Sequence, residues 1–249
     1  MIALKSMQDV KGIAAAGKIL AKLFKAIEPE VVPGMTTLDL DHFGEEFIRS
    51  HTGAEPAFKG LYGFPASLCI SMNHEVVHGI PRKNRVLKEG DIISIDAGVR
   101  LNGWYADSAV TFPVGEIDED ATRLLEVTKA ALQRGIASAQ VGNRLGDVGS
   151  AVQKTAEAAG FTVVRDLVGH GIGRDPHEEP QVPNFGQPGR GLRLQTGLVI
   201  AIEPMVNEGA AAVRTLADRW TVVTADRRRS AHFEHTVAIT EDGPKVLTA

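Results

Sequence analysis

The chain has 249 residues, 43% of them hydrophobic and 23% charged, which is enough apolar side chain for one large core. Its 27 basic and 31 acidic side chains leave a net charge of −4, which removes any bulk electrostatic case for a specific nucleic-acid binder. The single cysteine, Cys69, excludes an intramolecular disulfide and suits a reducing compartment, and no run approaches the ~18 apolar residues of a membrane span.

The first expected element is a helix capped by Ser6 and running to about residue 27. Lys5, Asp9, Lys11 and Lys18 interrupt its start, so it is not the apolar core of a signal peptide, and a cytoplasmic protein is expected. Thr36 with Asp39 makes a capping-box pattern that opens a second helix toward Ser50. Strands are expected at 67–71, 91–99 and 104–112, the last two joined by a hairpin turn at Asn102 and Gly103. Asp118 to Asp120 then favour a helix N-terminus, with helices to about 139 and over 145–159. Strands return at 161–165, 198–203, 219–224 and 231–239, and a glycine- and proline-rich connection, expected to lack regular structure, fills 169–191.

Two pattern pairs repeat at nearly one offset. Residues 88–96 (KEGDIISID) match 195–203 (QTGLVIAIE) at 107 positions, and 33–40 (PGMTTLDL) match 141–148 (VGNRLGDV) at 108. The expectation is an α+β fold in one catalytic domain, 1–249, with pseudo-symmetric halves of about 1–115 and 116–249. Outer helices would cover a curved antiparallel sheet, with the site in the groove between the halves.

Five side chains able to hold metal, Asp96, Asp107, His170, Glu203 and Glu234, fall at the ends of apolar strands, inside them or beside glycines. Counting back from the Asn102/Gly103 turn sets Asp107 opposite Gly98, so Asp96 is its diagonal neighbour on the same sheet face. Glu203 ends an apolar strand and precedes Pro204. Glu234 lies in another such strand, and Gly169 and Gly171 flank His170 with room for a sharp bend. Four buried carboxylates gathered at one point repel one another unless cations lie between them. An oxygen-rich set with one imidazole suits manganese, iron(II) or cobalt and admits zinc. Two such ions would acidify a water and polarise a carbonyl, which is hydrolytic chemistry. Taken singly, each residue also has a plainer reading: a salt-bridged aspartate, or a loop histidine in solvent. His78 and His177 are equally loop histidines or hydrogen-bond donors to a substrate oxyanion.

The chain resembles the type I methionine aminopeptidases of the pita-bread hydrolases. The resemblance rests on His78-Gly79-Ile80-Pro81, Ile95-Asp96-Ala97-Gly98, Asp107-Ser108, Gly169-His170-Gly171-Ile172-Gly173, His177-Glu178-Glu179-Pro180-Gln181-Val182, Ile202-Glu203-Pro204-Met205 and Phe233-Glu234-His235-Thr236. It covers essentially the whole chain, with the five candidate ligands at intervals of 11, 63, 33 and 31 residues. It implies a pita-bread fold and two divalent ions, cobalt, manganese, iron(II) or zinc. Asp96 would hold one ion, His170 and Glu203 mainly the other, and Asp107 and Glu234 both. Glu203 would also be the general base, and His78 and His177 would orient the peptide and stabilise the tetrahedral intermediate. The implied reaction removes the initiator methionine of a nascent peptide when the next residue is small. Its methionine pocket would be formed by Phe58, Leu61, Phe64, Cys69, Pro176 and Trp220, each of which core packing would equally explain.

Leu61 and Pro176 stand where several relatives carry aromatic side chains, and Ala106 replaces a glycine often seen before the second aspartate. The interval from His170 to Glu203 leaves no room for the helical insertion of type II relatives. A first helix near Ser6 argues against the added N-terminal domain of proline-specific relatives, and the lack of the eukaryotic N-terminal extension gives a bacterial type. The competing readings are a proline-type aminopeptidase on the same fold and a non-catalytic binding protein on that scaffold. The resemblance implies a monomer. Arg227-Arg228-Arg229 reads either as a transient ribosome contact or as a solvated hairpin end.

Overall fold

A computed structural model describes residues 2–249. Helix α1 (Met7–Ile27) and helix α2 (Thr37–Arg49) both begin in capping boxes: the Ser6 and Thr36 hydroxyls accept from the N–H of Asp9 and Asp39, whose carboxylates accept in return from the cap backbone. Strands β1 (Ala54–Pro56), β2 (Leu68–Met72), β3 (Glu75–Val77), β4 (Ile92–Leu101) and β5 (Trp104–Pro113) follow. Asp118 caps α3 (Glu119–Ser138), and α4 (Leu145–Ala158) leads into β6 (Thr162–Val163), β7 (Gly169–Gly171), β8 (Glu178–Val182), β9 (Val199–Ile202) and β10 (Met205–Asn207). The chain closes with β11 (Val213–Thr215), β12 (Val222–Thr224), β13 (Ser230–His232), β14 (Glu234–Thr240) and β15 (Gly243–Val246). No helix among the described residues is long and apolar enough to cross a membrane.

Nine strands form one antiparallel sheet in the order β1-β4-β5-β14-β9-β7-β8, with β2 also on β4 and β15 on β14. At its centre, β4 and β5 from the first half meet β14 and β9 from the second across the β5/β14 seam. The Asn102/Gly103 turn has positive φ at both residues, 51° and 77°, the pair of angles that joins two twisted strands through two residues. It sets the ladder as expected, Gly98 opposite Asp107 and Asp96 opposite Ala109. On β4, Ile93, Ile95, Ala97 and Val99 face α1, where Ile13, Leu20, Leu23 and Ile27 are fully buried against the first-half core. Each such side chain contributes roughly 1.5–3 kcal/mol. Leu124, Leu132, Val148 and Val152 of α3 and α4 cover Ile200 and Ile202 in the same way. Because strand side chains alternate, burying these odd positions of β4 turns Asp96 to the opposite, open face.

Several strands differ from expectation. Strand β4 outruns the expected 91–99, its ladder passing Asp96 and continuing through Ala97, Gly98 and Val99 to the turn. The strand expected over 231–239 is two, β13 on β10 and β14 on β9, and the break at Phe233 faces Pro204, which has no N–H to continue the ladder. The stretch 219–224 yields only β12. Asp218 accepts from the N–H of Trp220 and Thr221, and Arg219 takes φ 65°, so this part is a turn. Segment 161–165 keeps a two-residue strand, with Val164 still donating to the Met205 carbonyl. The connection 169–191 is not structureless, because it carries β7 and β8, whose glycines and Pro180 hide them from a propensity reading.

Candidate metal centre

Register builds the first half of the site. Cys69, Asp96, Ala109 and Glu234 stand opposite one another across four adjacent strands, β2, β4, β5 and β14. Directly opposed residues share a face, so Asp96 and Glu234 rise on either side of the small Ala109, with Asp107 two residues along the same strand. Side chains clamp the seam beneath them. Ser108 donates to the Glu234 carbonyl at 2.7 Å. The Thr236 hydroxyl accepts from the Asp107 N–H at 3.0 Å and donates to the Asp107 carbonyl at 2.8 Å.

The second half supplies Glu203 and His170. Glu203 leaves β9 just before the Pro204 break, and its own carbonyl accepts from the Asn184 amide at 3.0 Å. Gly169 and Gly171 do not bend the chain, as expected from sequence, but let strands close up. A Cβ at Gly169 would run into the Ala201 carbonyl, and one at Gly171 into the Glu179 carbonyl. His170 therefore sits in the sheet, its Nδ1 donating to the Gly171 carbonyl at 2.9 Å, which leaves the bare Nε2 turned to the carboxylates. Nε2 lies 3.5 Å from Glu203 Oε1 and 3.9 Å from Asp107 Oδ2. Gly171→Ala is expected to destabilise the fold by about 1–3 kcal/mol, because the obstacle is backbone. Chemical denaturation measures it, and an unchanged midpoint would show that the strands can part there.

The five candidate ligands converge. Asp96, Asp107 and Glu234 place one ligand atom each within 4.8 Å of one another, as do His170, Glu203 and Glu234, and Asp107, His170 and His177. Asp107, His170 and Glu234 each belong to two of these groups, and Glu234 is shared by the one with Asp96 and the one with Glu203. Burial first, then neighbouring carboxylates, pushes Asp96, Glu203 and Glu234 well above the usual carboxylate range, and burial raises Asp107 to about 7. Asp96 Oδ1, Asp107 Oδ1 and Glu234 Oε1 are buried with no hydrogen-bond partner among the described residues. Orphaned acidic oxygens crowded around a bare imidazole nitrogen are what divalent cations need, so the donor set fits such ions.

This cluster forms the floor of a cavity of about 540 Å³. Phe58, Leu61, Phe64, Cys69, His78, His177 and Trp220 line it, as the resemblance implies, whereas the buried Pro176 does not. Phe64 and Trp220 pack edge-on at 5.1 Å, with His78 edge-on to Trp220 at 6.5 Å. His78 holds φ 58°, a left-handed conformation costly for a side-chain-bearing residue and typical of functional positions. Burial first, and His177 next, lowers the pKa of both His78 and His170 to about 4, so both imidazoles are neutral. The His177 ring meets His170 at 4.5 Å and 84° and stacks under the exposed Tyr62 at 5.9 Å and 13°. Sequence reading missed Tyr62, although Gly60 and Gly63 mark it as a turn residue, and missed the pocket residues Val77 and Met205. It also missed His232, a buried residue on β13 whose Nε2 lies 3.8 Å from Glu203 Oε2, because a histidine in an apolar strand carries no pattern of its own.

Comparison with known proteins agrees with this geometry. Over 248 residues the chain is 55% identical to a methionine aminopeptidase of Clostridium perfringens, covering 100% of this chain and 99% of that one. It is 50% identical to methionine aminopeptidase 1 of Bacillus subtilis, with the same coverage. A crystal structure of the methionine aminopeptidase of Thermotoga maritima superposes with a TM-score of 0.97 at 46% identity, covering 100% of this chain and 99% of that chain. Residues 11–241 match metallopeptidase family M24, and the chain belongs to that family.

Proposed function

We propose that this chain is a metal-dependent aminopeptidase of the bacterial type I kind, removing the N-terminal methionine of nascent polypeptides when the second residue is small. The observation that carries the reading is the set of buried, unpartnered carboxylate oxygens beside the bare His170 nitrogen, at the floor of a cavity with apolar walls. Membership of a metallopeptidase family implies divalent metal ions. We take there to be two, drawn from cobalt, manganese, iron(II) and zinc. Asp96 would hold one, His170 and Glu203 mainly the other, and Asp107 and Glu234 both, in keeping with Glu234 being grouped with Asp96 and with Glu203, and Asp107 with Asp96 and with His170. When bound, such ions acidify a water and polarise a carbonyl.

The chain's own residues would do the rest. Glu203, with one oxygen facing His170, takes the proton of the attacking water and passes it to the leaving amine nitrogen. His78 and His177, at the cavity wall and both held below the usual imidazole pKa chiefly by burial, donate to the substrate carbonyl oxygen and to the oxyanion that forms there. Phe58, Leu61, Phe64, Cys69 and Trp220 surround an unbranched thioether side chain, which adapts to such walls and contacts aromatic edges favourably. Arg229 is committed to Asp118 and Glu208, so of the arginine run only Arg227 and Arg228 are exposed. We read that turn as a solvated hairpin end rather than a ribosome contact, and the chain as one cytoplasmic, monomeric catalytic domain of two pseudo-equivalent halves.

Metal-stripped protein re-supplied with manganese, iron(II), cobalt or zinc should release methionine from Met-Ala-Ser and do so roughly 10²-fold less efficiently from Met-Leu-Ser, followed by amino-acid analysis. Release from neither peptide under any metal would end the proposal. A preference for proline in second position would favour the proline-type alternative.

A further inference from the structure

His232 lies close to Glu203, and the mechanism does not use it. It is 1% exposed and lies outside the cavity lining. Both ring nitrogens are buried without a hydrogen-bond partner among the described residues. Its backbone is held on both sides: the His232 N–H donates to Thr111 Oγ1 at 2.9 Å, and that hydroxyl donates to the His232 carbonyl at 2.8 Å. Ser94 Oγ, at 2.8 Å from the same hydroxyl, supplies its own proton there, since the Thr111 proton is already committed. β13 pairs with β10 so that His232 stands opposite Met205, two residues beyond Glu203. A ring placed this firmly, with two orphaned nitrogens, is a buried polar group in want of a partner. Glu203 Oε2, 3.8 Å from Nε2, is the acceptor the structure offers. The other Glu203 oxygen, Oε1, faces His170 at 3.5 Å, so the carboxylate stands between two imidazoles, one on the ligand side and one behind it.

We propose that His232 is a positioning residue for Glu203: in the working enzyme its Nε2–H donates to Glu203 Oε2 and turns Oε1 toward the His170 side of the site. Hydrogen bonds in such sites are often long in the free protein and tighten when the site is loaded, so closing 3.8 Å to a normal hydrogen bond needs only a small rotation of either side chain. The arrangement is the familiar one in which a buried second group orients a reacting carboxylate, and loss of such partners costs about 10- to 100-fold in metal affinity or activity. Cavity-wall residues position substrate; His232 lies outside the cavity lining and reaches the ligand cluster through Glu203 alone. The inference rests on the role proposed for Glu203.

Two measurements test it. In zinc-loaded protein, long-range ¹H–¹⁵N correlation spectra should show His232 as the Nε2–H tautomer, with a downfield, slowly exchanging proton that moves or disappears in Glu203→Gln. The Nδ1–H tautomer, or a proton indifferent to Glu203→Gln, would overturn the proposal. Independently, His232→Phe should lower kcat 10- to 100-fold with KM changed less than threefold, and His232→Gln, whose amide can still donate, should recover most of it. Full activity in His232→Phe, or a glutamine variant as impaired as the phenylalanine one, would also overturn it. The spectrum needs no turnover and no variant at His232 that must fold, so it decides the point even if methionine release fails. Such a failure would count against the function instead.

Discussion

Replacing Glu203 with glutamine should lower kcat on Met-Ala-Ser by about 10²- to 10⁴-fold while leaving the protein folded. The side chain is asked to accept a proton from water and to give one to the leaving amine, and an amide can do neither. Stability should not suffer. Burial and the nearby Asp107 raise the folded-state pKa of Glu203 well above its unfolded value. The metal-free fold therefore binds a proton that the unfolded chain has already released at neutral pH. The sign follows: the stability from that proton is present below about pH 4.5 and is lost as pH rises through the folded value. Glutamine keeps the shape without the charge, so scanning calorimetry of metal-free Glu203→Gln at pH 7.5 should give a Tm at or above that of the unaltered chain. Retained turnover would remove Glu203 from the proton-transfer role, and a lowered Tm would mean that the carboxylate is structural.

Stripping divalent ions with a chelator should abolish turnover, and restoring them should raise Tm by roughly 5–10 °C at about a hundredfold excess over Kd. The gain should shrink on acidification. Protons compete with cations for the same oxygens, and Asp107 already carries a proton below about pH 7 in the metal-free chain. Above that value its oxygens are free to bind; each pH unit below it costs about tenfold in apparent affinity for every proton displaced. Titration calorimetry in two buffers of different ionisation enthalpy should register about one more proton released at pH 6 than at pH 8, the one that Asp107 holds only at the lower pH. Full activity in the presence of chelator, or a Tm indifferent to added ions, would mean that the carboxylate cluster serves some other end.

The helical half of the fold and the long hairpin were legible because their signals are local. Capping boxes at Ser6/Asp9 and Thr36/Asp39, and the Asn102/Gly103 turn, each need only a few neighbouring residues, and the turn alone fixed the Asp96/Asp107 diagonal. What failed depends on contacts far apart in the chain. The break at Phe233 is caused by Pro204, which lies opposite it between β9 and β10, and β7 exists only because β9 and β8 flank it. Gly169 and Gly171 read as hinges, since glycine suits both a bend and a close approach and only the neighbour's position tells which. Pro176 was placed in the pocket by likeness to relatives, yet in this chain its neighbour His177 lines the cavity and Tyr62 stacks on that ring.

Sequence by itself determined which side chains carry the chemistry: four acids and a histidine in apolar or glycine-flanked settings where unpaired charge has no packing use, and their order along the chain. Only the tertiary structure decided that they meet. Asp96 and Glu234 are 138 residues apart, and what unites them is strand order, β4-β5-β14, with small Ala109 opposite both. The tertiary structure also decided that each acid keeps an oxygen or a neighbour that local sequence could not name, such as His232 behind Glu203. The reason is that a strand's residue types set which face each side chain takes, whereas pairing between distant strands sets whose side chains share that face.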